Sequence, residues 1–227
     1  MNVISMNKRQ LVFCGIYLGF QLVILPVILA FINEILPHPL SPAALNFVFF
    51  FINFIAVGAG CHRYLFRSVK ALFFRPGRQI STLIIALAAN HFLGLMVGAL
   101  ILHWMPDFFN VNDSTIAYMA GTEFTLTLIG TVFLVPVAEE VLFRGLMFGS
   151  LYNRSPVIAY LVSVTAFCMI HVLGYIGLYP IPHLLLCLLQ YVPAAVILAW
   201  AYARTGTIFT PILIHAIINA TGIFAMR

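Results

Sequence analysis

From Ile80 to Leu102 no side chain carries a full charge. A helix needs about 20 apolar residues to cross the hydrocarbon of a bilayer, and this stretch supplies them. Comparable runs cover Leu11 to Ile32, Ala43 to Cys61, Val157 to Leu173, His183 to Ala203 and Ile208 to Met226. The whole chain follows suit: 63% of its 227 residues are apolar and 7% are charged. Soluble domains carry about 25% charged residues. Eleven basic and six acidic side chains cannot clothe a 25.2 kDa body in water. An ordinary soluble domain, a disordered chain and a coiled coil are therefore excluded. What remains is an all-α polytopic membrane helix bundle. With short loops, about seven or eight transmembrane helices fit. The expected layout is one integral-membrane domain over 1–227, with N-terminal helices in 1–110 and a motif-bearing core in 115–226.

The net charge of +5 reads as a topology signal rather than as a nucleic-acid surface. Lys8, Arg9, Arg63, Arg67, Lys70, Arg75, Arg78, Arg154 and Arg204 all fall in segments on one side of the expected layout. The loop Asn33 to Pro42 and the loop holding Asp107 and Asp113 contain no Lys or Arg. This asymmetry predicts a multi-pass protein of the cytoplasmic membrane with a cytoplasmic N-terminus. The first run, after Lys8 and Arg9, reads as a retained span rather than a cleaved signal. Cys14, Cys61, Cys168 and Cys187 form no Cys-x-x-Cys pair and read as small apolar fillers. Gly15-x-x-x-Gly19, Gly94-x-x-x-Gly98 and Gly145-x-x-x-Gly149 permit close helix contacts.

A fourth run, Thr115 to Tyr152, is too long for one span: as a straight helix it would measure about 57 Å. Pro136 lacks a backbone N–H and crowds the preceding turn. A kink or break is predicted there, with the second half near the cytoplasmic boundary.

Ionisable groups at membrane depth are costly, so each demands a reason. Glu140 and Arg144 are one helical turn apart and can pair; Glu139 points about 100° away. Two readings follow, a structural salt bridge with a snorkelling glutamate, or a pair fixing the helix end while Glu139 faces a wet cavity. His171 lies four residues after Phe167 near the end of its run, and His215 and Asn219 share a face of the last one. Taken alone, His171 reads as a packing residue, and His215 with Asn219 as an interhelical clamp. Together the set can activate a water and stabilise an oxyanion. It can also hold a divalent metal such as zinc, with Glu139, His171 and His215 as ligands. Asn219 is a poor zinc ligand, and no His-Glu-x-x-His occurs.

Glu139-Glu140-x-x-x-Arg144, Phe167-x-x-x-His171 and His215-x-x-x-Asn219 resemble the three signature motifs of the CPBP family. These are the CAAX prenyl endopeptidases and bacteriocin-processing proteins, also called Abi proteins. The resemblance runs from about Val135 to Ala220. It implies an intramembrane endopeptidase acting on a peptide or membrane-protein substrate in the lipid bilayer. By position, Glu139 would be the water-activating base with His171 beside it. His215 and Asn219 would bind the oxyanion, and Glu140, Arg144 and Phe167 would support them. A metal-free mechanism without cofactor is favoured over the metal alternative. A non-proteolytic scaffold and a proton-coupled transporter are the rival readings. Asn46, Asn53 and Asn90 are expected to make interhelical hydrogen bonds, with a share in substrate binding as the other option. Glu123, about 24 Å along a helix from Glu139, is too far away to pair with it, and Tyr191 reads as an interfacial or packing ring.

Overall fold

The computed structural model describes residues 3–226, and these form nine helices with no strand among them. They are α1 (Lys8–Ile35), α2 (Pro42–Gly60), α3 (His62–Leu72), α4 (Pro76–Trp104), α5 (Val111–Thr122), α6 (Phe124–Tyr152), α7 (Pro156–Ile170), α8 (Ile181–Thr205) and α9 (Phe209–Ala225). Helices α1, α2, α4, α6 and α8 are long and apolar enough to cross a membrane, and α7 and α9 are shorter apolar helices. The protein is a multi-pass helical membrane bundle.

The helix ends follow from local chemistry. Asn7 and Gln10 cap α1 reciprocally, each side chain accepting from the other's backbone N–H. Ser41 and Ser155 cap α2 and α7, each followed by a proline in the first turn. Gly206, at φ 74°, stops α8 in a conformation that a residue with a Cβ adopts at a cost. The basic stretch after Cys61 contains α3, with Tyr64 and Ser68 buried one turn apart. Arg67 donates to the Ser5 carbonyl and ties this helix to the N-terminal segment.

The break expected at Pro136 is not there. Helix α6 runs unbroken from Phe124 to Tyr152, and the interruption falls at Glu123, whose φ of −139° separates α5 from α6. The proline is absorbed by a π-helical stretch at Ile129–Leu134. There the Val135 N–H reaches back five residues to the Gly130 carbonyl. This widened turn accommodates the proline ring while the helix continues. The same device recurs in α1, where the π-helical stretch Phe20–Ile24 precedes Pro26. The second half of α6 is buried within the bundle, with Val141, Leu142, Phe143, Arg144, Gly145 and Phe148 all buried. Its most apolar window is 61% buried, against 11–22% for α1, α2 and α4, which makes α6 the central helix.

One of the three glycine pairs is used for close packing. A Cβ at Gly145 would lie 2.6 Å from the Met6 side chain and 3.2 Å from Tyr64, whereas Gly15, Gly19, Gly94 and Gly98 face open space. Beside this contact the Tyr64 and Tyr202 hydroxyls are 2.9 Å apart, and Tyr202 donates to the Ile4 carbonyl. All four cysteines are buried free thiols, but two are not isolated fillers: Cys14 and Cys61 bring their sulfurs to 3.1 Å across α1 and α2. Mild oxidation of the folded protein is expected to join them. The check is loss of two alkylatable thiols, abolished in a Cys14→Ser variant.

Candidate active site

The motif residues converge on a cavity of about 470 Å³ inside the bundle, lined by Glu139, Phe167, His171, His215 and Asn219. Glu140 and Arg144 lie behind its wall, both fully buried. Glu140 Oε1 accepts from Arg144 Nη1 at 3.1 Å and lies 2.9 Å from His215 Nδ1. A carboxylate paired with a guanidinium only accepts, so Nδ1 of His215 carries the proton in this contact. That orients the other ring nitrogen, Nε2, towards Glu139 Oε2 at 3.9 Å. This gap exceeds a hydrogen bond and suits a bridging water. Glu139 Oε2 is buried and has no hydrogen-bond partner among the described residues.

Arg144 is held from two helices. Its Nη2 donates to the Ala195 carbonyl of α8 at 3.0 Å, and its guanidinium lies 4.2 Å over the Phe167 ring. Phe167 also meets His215 edge-on at 5.6 Å and His171 at 4.8 Å. It is the apolar hub around which the polar groups turn. His171 caps the C-terminal end of α7, and its Nδ1 donates to the Phe167 carbonyl at 2.8 Å, leaving Nε2 free. Its ring stacks on Tyr191 at 4.2 Å.

Asn219 donates to the Thr131 carbonyl at 2.9 Å. The reason lies in the π-helical stretch. Val135 has given its N–H to Gly130, and the next residue in register for Thr131 is Pro136, which has none. The Thr131 carbonyl is thus left without a helical donor, and α9 supplies one. Substituting Pro136→Ala is expected to return the missing N–H, relax the bulge and release the Asn219 side chain. Its side-chain amide resonances should then shift, and the melting temperature should rise. Unmoved resonances would refute this account.

Sequence reasoning missed the link between Glu140 and His215, and a polar network around Tyr191. The Tyr191 hydroxyl lies 2.7 Å from Asp113 Oδ1 and 3.1 Å from Asn110 Oδ1, and accepts from Asn112 Nδ2. Asn110 Nδ2 donates to Gln190. The cluster Asn110-Val111-Asn112-Asp113 was the available signal, but it reads as an outer loop. Of the remaining polar residues, Asn53 bridges helices as expected, accepting from Tyr17 and donating to the Phe49 carbonyl. His91 is exposed, and Glu123 does not line the cavity. Among the described residues no three His, Cys, Asp or Glu side chains are gathered closely enough to hold a metal ion.

Fold and site together define a helical membrane protein with a carboxylate–imidazole centre enclosed by apolar helices. Residues 121–221 match the family model described as Type II CAAX prenyl endopeptidase Rce1-like. All three motifs lie inside that segment, which is less than half of the chain. The UPF0177 protein YxdF of Lactococcus lactis subsp. lactis (strain IL1403) is 30% identical over 94 residues, 41% of this chain and 46% of that protein. The "Putative membrane peptidase YdiL" of Bacillus subtilis (strain 168) is 34% identical over 85 residues, 37% of this chain and 30% of that protein. The chain thus spans less than half the length of these curated relatives. No solved structure matches.

Proposed function

We propose that the protein is an intramembrane endopeptidase that hydrolyses a peptide bond of a membrane-associated protein or peptide. The observation that carries this reading is the pair of groups facing each other across 3.9 Å: an unpartnered Glu139 carboxylate oxygen and a His215 ring anchored from behind by Glu140. Geometry supports it: Arg144 pairs with Glu140 behind the wall, which leaves Glu139 free to act on the cavity side.

Glu139 takes a proton from a water held in the gap as that water's oxygen attacks the substrate carbonyl carbon. The carbonyl electrons move onto the oxygen. The Nε2–H of protonated His215 and the second amide hydrogen of Asn219 donate to this oxyanion. His171, with Nε2 free towards the cavity, orients the water. The intermediate collapses with cleavage of the C–N bond, and Glu139 returns its proton to the leaving amine. Phe167 and Tyr191 hold the two imidazoles apart from bulk solvent. No cofactor takes part. The proposed setting is the cytoplasmic membrane, with the N-terminus on the cytoplasmic side.

The test is a purified chain in detergent incubated with quenched peptides, both plain and lipid-modified. The unsubstituted chain is expected to cleave a subset and the Glu139→Ala variant none. Equal cleavage by the two folded proteins would remove Glu139 from the reaction. A cellular phenotype indifferent to Glu139→Ala would point to a scaffold instead.

A further inference from the structure

Three side-chain amides on the cavity wall have no assigned role. Gln21 comes from the π-helical stretch of α1, Asn46 from α2 and Asn90 from α4, and all three line the same cavity as Glu139 and His215. Gln21 is only 8% exposed. The other amides of the cavity are committed: Asn53 to Tyr17 and Phe49, Asn112 to Tyr191, Gln190 to Asn110 and Asn219 to Thr131. Gln21, Asn46 and Asn90 make no side-chain hydrogen bond with any described residue. An amide without a partner at membrane depth is costly, and a leucine in its place would be cheaper. These amides line the cavity without a side-chain partner among the described residues, so they are available to a polar group that enters it.

A carboxamide carries a donor and an acceptor in one plane, like the peptide group itself. It can pair with a backbone N–H and C=O whatever the side chains beside them. A membrane-embedded substrate needs such partners. While helical, its backbone groups are satisfied internally; once unwound for attack, they are orphaned in an environment without bulk water. The charge of the wall narrows the class further. Asp113 and Glu139 line the cavity and no Lys or Arg does. A free C-terminal carboxylate would meet these two acids and no Lys or Arg.

Resting on the hydrolytic reading above, we propose that Gln21, Asn46 and Asn90 form a backbone-binding wall that holds an unwound, uncharged internal segment of a membrane-inserted polypeptide. Specificity then lies in how readily the segment unwinds, more than in its side chains.

The experiment measures binding, not turnover. The full chain carrying Glu139→Ala is titrated in micelles with a fluorescent Leu/Ala-rich 20-residue peptide that has a central Gly-Ser-Gly and an amidated C-terminus. The triple variant Gln21→Leu, Asn46→Leu, Asn90→Leu in the same background is expected to bind at least about 10-fold more weakly, with one neutral hydrogen bond lost per amide. N-methylating the central residues of the peptide should weaken binding similarly, and the triple variant should add little to that loss. The melting temperature of the triple variant should hold or rise. Unchanged affinity in that variant, no binding before the three substitutions, tighter binding of the free-carboxylate peptide or a fall in melting temperature would each overturn the proposal. Cleavage by the native chain with no effect of the three substitutions would sink this inference alone. Binding as expected without any cleavage would sink the hydrolytic reading and leave the wall as a peptide site.

Discussion

Glu139→Gln is expected to reduce peptide hydrolysis by about 10²- to 10⁴-fold, the usual worth of a positioned general base, while leaving the protein as stable as before or more so. Gln keeps the shape and removes only the ability to take a proton. Structure predicts little cost because Glu139 Oε2 makes no hydrogen bond and stands 3.9 Å from His215 Nε2. The loss should therefore appear in kcat, with KM and melting temperature held. That split separates a group that touches the reacting water from one that merely packs. Turnover of the variant near that of the native chain would end Glu139's claim to the role of base.

Arg144→Ala is expected to do the opposite and destabilise the bundle by about 3–5 kcal/mol, the range for breaking a buried ion pair by removing one partner. Arg144 and Glu140 are both fully buried, so the lone carboxylate would keep only its contact to His215. Lysine is not expected to rescue it. The guanidinium binds Glu140 on α6 and the Ala195 carbonyl on α8 through separate nitrogens, and its centre lies 4.2 Å over the Phe167 ring. A single ammonium cannot reproduce that planar fork. Reversible denaturation in mixed micelles measures the effect, and a loss below about 1 kcal/mol would show that the buried pair does not hold the bundle together.

The sequence analysis read the long apolar helices because apolar length is a local signal; the Ser-Pro starts at Ser41 and Ser155 and the glycine stop at Gly206 are what the structure adds at their ends. The three motifs also lay where their order suggested, around one cavity. What stayed hidden depends on how helices are set against one another in depth. Glu140 and His215 are far apart in the chain, and nothing in the periodicity of either helix says that they meet. Tyr191 looked like a packing ring because its partner Asp113 sat in what read as a loop. At Pro136 the error was different in kind. The lost donor and the clash were rightly foreseen, but a helix can answer them by widening as well as by bending.

That widened turn has a longer reach than its own helix. Proline is the one residue whose contribution at position 136 is a missing hydrogen, and the vacancy is filled from the far side of the cavity by the amide at position 219. An inventory of polar side chains would pass over Pro136 as inert. Yet it sets the aim of Asn219, so an imino acid belongs to the specification of this centre as much as the acids and imidazoles do.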